Sequence, residues 1–429
     1  MKINKIKAKV TNNKVVAENF LYITLLQIFL LIAPLITYPY LVNVLGRELY
    51  GLVITAQVLV SYFSILIDFG SNSIAARYVA LRKQNSSLLS DLISCILSAR
   101  FYLWCISLVL YVLLVSLVST YRDHFLLFLL MFGMTLNDLL FPQFFFQGIE
   151  KMKHITIVNL VIKSLFICLV FLFVSRPDDY VLVPVFYSMG YLMGGIIALY
   201  IIIKKYRISI KLESISKVIP YVKDCSPLLA KELISTVKDK LNIFFVGRYI
   251  GMADVVVYDL GVKFISIFAR PVNIIGTVLL PRFARNPNRN AQKYVIYFSF
   301  LFSLVLIVFA NIFLKEIVFF FIHEDVDLLP LRLILIAPLM LSISQCIGYN
   351  YILANGFNKL MLWSIIAATS TYCVSLIFVL VSGMESNILS FIVIALLSYS
   401  AELIYRIYVF TTDYGFKYIN NGKENNCKE

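Results

Sequence analysis

The chain has 429 residues, of which 60% are hydrophobic and only 14% are charged, and its formal net charge is +14. A soluble domain normally carries about 25% charged residues, and about 20 consecutive apolar residues suffice to cross a bilayer. Apolar runs of that length recur along the whole chain, whereas the ten-residue alternating segments of a membrane barrel are lacking. The composition therefore excludes a soluble globular protein and predicts an all-α, polytopic membrane protein.

The predicted elements are membrane-spanning helices joined by short loops. The first apolar stretch is too long for the core of a signal peptide, so we interpret it as an uncleaved span. Hydropathy predicts eleven spans without difficulty, at 18–42, 51–75, 89–118, 125–147, 155–174, 181–203, 255–281, 294–314, 328–353, 361–382 and 388–410.

Residues 227–250 are a doubtful twelfth span, because five charged residues lie within this one helix length. A charge at the centre of a membrane costs about 2.5–3.5 kcal/mol, which a few leucines cannot offset. If the segment crosses, its polar side must line water or a ligand, which makes it a candidate functional site.

The distribution of Lys and Arg favours a membrane crossing at 227–250. With twelve spans and both termini in the cytoplasm, 24 of the 38 Lys and Arg residues lie on the cytoplasmic side, 5 on the other side and 9 inside spans. This asymmetry is typical of membrane proteins. Without the doubtful span, the basic loop that follows 255–281 would lie outside.

An internal repeat supports the same count. A shift of 205 residues aligns Gly251 with Gly46 and Arg282 with Arg77. We therefore predict twelve transmembrane helices in two parallel six-helix lobes around a central cavity, a plan common among transporters. The lobes are 1–203 and 227–429, the second with a short cytoplasmic tail, and the basic segment 204–226 is a cytoplasmic linker.

Two spans carry polar stripes. At about 100° per residue, one stripe contains Lys231, Ser235, Lys238 and Asn242, with Asp239 beside it. The next span repeats the spacing with Asp259, Lys263, Ser266 and Arg270. We interpret the stripes as cavity walls; the alternatives are local ion pairs in the first stripe and, for Arg270, extension of the side chain toward the cytoplasmic surface.

Within the predicted spans, nine cations face six acids, and a net positive cavity attracts anions such as phosphate. The candidate substrate-binding residues are Arg270, Lys238, Lys231, Lys263, Arg100 and Lys163. The candidate ion-coupling residues are Asp68, Asp259, Asp239 and Asp138. We interpret Glu402 and Arg406, four residues apart, as an interfacial salt bridge.

Chemistry that needs a metal or a catalytic group has no signal in the sequence. The seven cysteines form no CxxC motif and mostly lie inside spans, and the three histidines are scattered in loops or at span ends. We expect no cofactor, no catalytic residue, no metal site and no nucleic-acid partner.

Four segments resemble a known family: PLITYPYLVNVLGRELYGL (34–52), DFG (68–70) followed by Arg77, FFFQGIEKMK (144–153) and VGRYIGMADVVVYDLGVK (246–263). They are similar to the polysaccharide flippases of bacterial O-antigen clusters, within the multidrug/oligosaccharidyl-lipid/polysaccharide exporter superfamily. The resemblance implies an inner-membrane transporter that moves an undecaprenyl-diphosphate-linked oligosaccharide to the periplasmic leaflet by alternating access. It also implies coupling to a H⁺ or Na⁺ gradient, and other polysaccharide-assembly proteins are possible partners.

Two other functions stay open at this point. A cation-coupled drug exporter of the same superfamily would carry cargo that a cationic cavity disfavours. A polytopic enzyme of polysaccharide assembly, such as a polymerase, would be expected to show a long outer loop or an intramembrane histidine. The predicted outer loops are short.

Overall fold

The computed structural model describes residues 2–286 and 288–412, and the regular elements of these residues are all helical. The chain divides into two compact units, Met1–Leu233 and Ile234–Glu429. The helices of the N-terminal unit are α1 (Lys2–Asp68), α2 (Ser71–Arg82), α3 (Ser86–Leu117), α4 (Ser119–Asp123), α5 (Phe125–Met131), α6 (Leu136–Leu140), α7 (Gln143–Gly148), α8 (Met152–Phe173) and α9 (Leu182–Tyr200). Short 3₁₀ turns occupy Phe132–Thr135 and Pro177–Val181, and a π turn, Ile201–Lys205, extends α9.

The boundary between the units falls inside helix α10 (Ile215–Tyr249). The C-terminal unit continues with α11 (Met252–Arg285), α12 (Arg289–Ile312), α13 (Leu314–Ile322), α14 (Leu329–Ile334), α15 (Ala337–Ile347), α16 (Asn358–Val381) and α17 (Ile388–Thr411). A π turn, Gly348–Leu353, follows α15.

Nine helical stretches in the described residues are long and apolar enough to cross a membrane. The first, Leu21–Arg82, has 62 residues, about three times the length that a bilayer core requires. Helices α10 and α11 are absent from the nine; for α10 this agrees with the doubt about 227–250, whereas 255–281 in α11 had been predicted to span on hydropathy alone. The structure is that of an integral membrane protein, and the count of twelve spans stays a prediction.

Glycine breaks the first long helix. At Gly46 the backbone adopts φ 75° and ψ 165°, a conformation that costs little only without a Cβ atom. This kink separates the predicted spans 18–42 and 51–75. Gly251, its counterpart in the predicted repeat, lies in the break between α10 and α11. Both glycines that the predicted repeat aligns thus lie at breaks between long helices.

The predicted helix 125–147 is not continuous. It divides into α5, a 3₁₀ turn, α6 and α7, with the last break at Phe141 and Pro142, because proline cannot donate the backbone hydrogen bond that a helix interior needs. A Cβ atom at Gly148 would lie 2.5 Å from Cβ of Val79 and 2.6 Å from the carbonyl oxygen of Ala76. The FFFQG segment thus packs α7 directly against α2.

Candidate functional site

The C-terminal unit contains a cavity of about 480 Å³ that is built by α10, α11, α15, α16 and α17. Four cations and two carboxylates line it: Lys238, Lys240, Arg270, Arg406, Asp239 and Glu402. Neutral polar side chains complete the lining, among them Ser235, Ser266, Asn273, Gln345, Tyr349 and Tyr399. The cavity is therefore polar, with more positive than negative groups.

One wall is a chain of alternating charges. Glu402 accepts from Arg406 at 2.7 Å, and its other oxygen lies 3.8 Å from the Lys238 ammonium. Lys238 donates to Asp239 at 2.8 Å and lies 5.1 Å from the centre of the Tyr399 ring. The exposed fraction of the side chain rises along this chain from 1% for Arg406 to 43% for Asp239. Only the carboxylate of Asp239 is thus open to a soluble ligand or ion.

Arg406 anchors this wall. Its guanidinium also donates to the carbonyl and hydroxyl oxygens of Ser344, each at 3.0 Å, and to the hydroxyl of Ser364 at 3.2 Å. These partners belong to α15 and α16, while Arg406 belongs to α17. A fixed guanidinium fork that satisfies several acceptors at once is well suited to holding three helices together.

Helix α11 contributes an exposed cation to the cavity lining. Ser266, Arg270 and Asn273 lie on one face of α11 and line the cavity, and the Arg270 side chain is exposed. The Oδ1 atom of Asn273 is buried and has no hydrogen-bond partner among the described residues. A ligand with a hydroxyl or amide donor would satisfy the Asn273 oxygen, and Arg270 lies on the same face of α11.

Only part of the polar stripe predicted on α10 lines the cavity. Ser235 and Lys238 line the cavity, but Asn242 is fully buried. It donates to the hydroxyl of Tyr258 at 2.8 Å and to the carbonyl oxygen of Phe391 at 2.9 Å, and it accepts from the hydroxyl of Tyr372 at 2.6 Å. The prediction that Asn242 faces a cavity is wrong, because packing against α11, α16 and α17 covers it.

Two predicted residues of α11 form a local pair. Lys263 donates to Asp259, one helical turn away, which is the spacing at which two side chains meet on a helix face. Neither residue belongs to the cavity lining. Their assigned roles in substrate binding and ion coupling stay predictions.

Three further predicted residues meet in the N-terminal unit. Arg100 is 0% exposed and donates to Asp68 at 2.5 Å, to the Ser71 hydroxyl at 2.8 Å and to the backbone carbonyl of Asp138 at 2.8 Å. Its guanidinium also lies 5.2 Å from the centre of the Phe144 ring. These contacts join α1, α2, α3 and α6, so the geometry assigns the Arg100–Asp68 pair a structural role at least.

The last two predicted cations differ in their surroundings. Lys231 is exposed, whereas Lys163 of α8 lies among tyrosine side chains of α9. The pairing predicted for Glu402 and Arg406 is confirmed, and both side chains are buried, while their position at the membrane interface stays a prediction. They line the cavity together with Lys240. The i, i+4 charge pair in an otherwise apolar helix is the sequence signal that could have marked Glu402 and Arg406 as cavity-lining residues.

Comparison with known proteins agrees with this architecture. The chain is 24% identical over 370 residues to an Escherichia coli (strain K12) protein named "Putative O-antigen transporter", covering 83% of this chain and 88% of that protein. A Shigella dysenteriae protein of the same name is 24% identical over 221 residues, 51% of this chain and 54% of that protein.

Among solved structures, the fold is similar to the lipid II flippase MurJ in an inward closed conformation. The TM-score is 0.72 at 12% identity, covering 92% of this chain and 87% of that one. It is also similar to an inward-facing multidrug resistance MATE family transporter of the MOP superfamily. That TM-score is 0.66 at 12% identity, covering 89% of this chain and 95% of that one.

The model of one family matches residues 16–287, which is more than half of the chain and includes α10 and α11. The match extends across both units and covers Asp239 and Arg270 of the cavity. The chain belongs to the polysaccharide biosynthesis protein family.

Proposed function

We propose that this protein is a flippase that moves an undecaprenyl-diphosphate-linked oligosaccharide, an O-antigen repeat unit, across the bacterial inner membrane. In this proposal the twelve predicted spans form two six-helix lobes, both termini are cytoplasmic, and access alternates between the two leaflets. The names of the curated relatives and the fold shared with a lipid II flippase support a lipid-linked cargo.

The observation that carries the proposal is the charge of the cavity. Four cations face two carboxylates, and the two carboxylates already contact Lys238 and Arg406. The cavity lining therefore carries an excess of two positive charges. Diphosphate and uronic-acid oxygens are the acceptors that arginine and lysine bind best, so the anionic end of such a cargo is the ligand that fits.

Ion coupling is the second part of the proposal. Asp239 is the most accessible carboxylate of the cavity, and it shares the Lys238 ammonium with Glu402. Binding of a proton or Na⁺ at Asp239 would release Lys238 toward Glu402 and would change the charge that faces the cargo. Asp68, Asp138 and Asp259 stay as further coupling candidates.

A cation-coupled drug exporter is the second candidate, because the MATE transporter shares the fold. Its cationic cargo would meet net repulsion from Arg270 and Lys240. A polymerase or other membrane enzyme is a weaker candidate, since the cavity lining offers no histidine and no cysteine as a nucleophile or base.

The test is a strain that lacks this protein. Undecaprenyl-linked oligosaccharide should accumulate in this strain with its glycan on the cytoplasmic face. An external probe should then reach the glycan in inverted vesicles but not in right-side-out vesicles. Complementation should restore access in right-side-out vesicles. Normal periplasmic access in the deletion strain would contradict the proposal. A loss of drug resistance with normal glycan export would favour the exporter.

A further inference from the structure

The N-terminal unit contains a further cationic group, Lys163 of α8, which contacts tyrosine side chains of α9. The ammonium of Lys163 donates to the Tyr191 hydroxyl at 3.2 Å. It also lies 5.4 Å from the centres of the Tyr187 and Tyr191 rings. The two tyrosine rings are nearly parallel, with centres 6.3 Å apart, and Tyr187 stacks on the buried Phe166 at 3.7 Å. Three aromatic rings thus form a rigid support for one ammonium group.

Lys163 and Tyr191 together carry more hydrogen-bond donors than the acceptors that they contact. An ammonium carries three N–H donors, and Lys163 commits one of them, to Tyr191. Because the Tyr191 oxygen accepts this bond, its own O–H is free to donate elsewhere, and no acceptor for it occurs among the described residues. Two N–H groups and one O–H group therefore converge without an acceptor.

The charge is also uncompensated. Within the described part of the N-terminal unit, Lys163 forms no ion pair with a carboxylate. It is residue 12 of the 22 in α8, near the middle of the span. A cation at that depth is costly, and an intramembrane charge normally pairs with a partner. Tyrosine rings supply only part of that compensation.

The site does not face the most exposed side of its helices. Ser164 and Cys168 are exposed on α8, and at about 100° per residue Lys163 points roughly 100° and 140° away from them. On α9, the exposed stripe contains Met189, Met193 and Ile196, and Tyr187 lies roughly 120–180° from these residues. Lys163, Tyr187 and Tyr191 are nevertheless each partly exposed. Lys163 and Tyr187 therefore point away from the helix faces that lipid tails are expected to cover.

We propose that Lys163 and Tyr191, supported by the Tyr187 and Phe166 rings, form an oxyanion site for a phosphate or carboxylate group of the cargo. The site deepens the proposed function, on which it rests for the identity of the ligand. The oxyanion accepts two N–H bonds from Lys163 and one O–H bond from Tyr191. A pyranose ring attached to the oxyanion can pack against the tyrosine rings.

Direct binding tests this site without any transport measurement. Full-length protein in lipid nanodiscs, carrying Arg270→Ala to weaken anion binding in the C-terminal cavity, is titrated with inorganic diphosphate, glucuronate and neutral N-acetylglucosamine. At least one of the two oxyanions should bind. Binding of diphosphate would indicate a phosphate group of the cargo as the ligand, and binding of glucuronate would indicate a sugar carboxylate. Lys163→Met should weaken that binding about tenfold or more, as expected for a charge-assisted hydrogen bond. The neutral sugar should show no such dependence.

Matched variants separate charge from folding. Lys163→Arg should retain binding within a few-fold, Tyr191→Phe should lose part of it, and Lys153→Met, an exposed lysine of the same helix, should change nothing. Lys163→Met should also raise the apparent melting temperature, because it removes an uncompensated charge. Absence of oxyanion binding in the parent protein, or equal binding by Lys163→Met, would overturn the site. Either result would leave the leaflet test of the proposed function unaffected.

Discussion

The Arg406 guanidinium donates to the Glu402 carboxylate at 2.7 Å, one helical turn away, and neither side chain is more than 4% exposed. A buried ion pair gains Coulomb energy only after both charges lose water, so it persists where further bonds satisfy them. Ser344 and Ser364 supply these bonds to Arg406, and Lys238 approaches Glu402 from α10. The pair thus orders the wall of the cavity.

Loss of the Glu402 charge should be more damaging than loss of the Lys238 charge. Glu402→Gln leaves Arg406 buried without a carboxylate, at a cost of about 3–5 kcal/mol. Lys238→Met leaves Glu402 paired with Arg406, so its cost should be smaller. Thermal unfolding in detergent should rank the two variants in this order, with exposed Glu316→Gln as the control. A melting temperature of Glu402→Gln equal to that of the control would contradict this account.

The Arg100–Asp68 pair should behave as a structural unit. Asp68→Asn leaves a fully buried guanidinium, whereas Arg100→Met leaves a carboxylate that is 15% exposed and keeps the donors of Ser71 and Asn72. We expect Asp68→Asn to lower the melting temperature more, and the double variant to be less destabilised than the sum of the two. Additive effects in this double-mutant cycle would show that the pair is not coupled. Exposed Asp91→Asn is the control.

Asn242 is expected to matter for stability and not for cargo. Asn242→Leu removes three buried hydrogen bonds, to the Tyr258 and Tyr372 hydroxyls and to the Phe391 carbonyl oxygen, and each hydrogen bond contributes about 0.5–1.5 kcal/mol. Asn311→Leu, which removes a single bond to its own helix, should destabilise far less. If Asn242→Leu unfolds at the wild-type temperature but loses transport, Asn242 contacts cargo after all.

Asp239 is the carboxylate through which an ion would act. Asp239→Asn keeps the size of the side chain and removes its charge, so Lys238 should retain only Glu402 as a carboxylate partner. We expect transport in reconstituted vesicles to become insensitive to an imposed proton or sodium gradient. Unchanged gradient dependence would remove Asp239 from the coupling candidates and leave Asp68, Asp138 and Asp259.

The sequence predicted the helices and the polar stripes because both follow from periodicity within one segment. The shared helix face of Asp259 and Lys263 and the cavity-lining positions of Lys238, Asp239 and Arg270 are of this kind. Burial of Asn242 and of Glu402 with Arg406 was not predictable in the same way, because it depends on which helices pack together. The tyrosines around Lys163 were missed for the same reason.

The central claim is that a cationic cavity in the C-terminal unit carries a lipid-linked glycan. The most direct measurement is the leaflet distribution of undecaprenyl-linked oligosaccharide in the deletion strain, complemented with Arg270→Ala or with Arg248→Ala, an exposed arginine outside the cavity lining. Both variants should be present in the membrane at the wild-type level. Arg270→Ala should leave the glycan on the cytoplasmic side while Arg248→Ala restores export. Full export by Arg270→Ala would contradict the account.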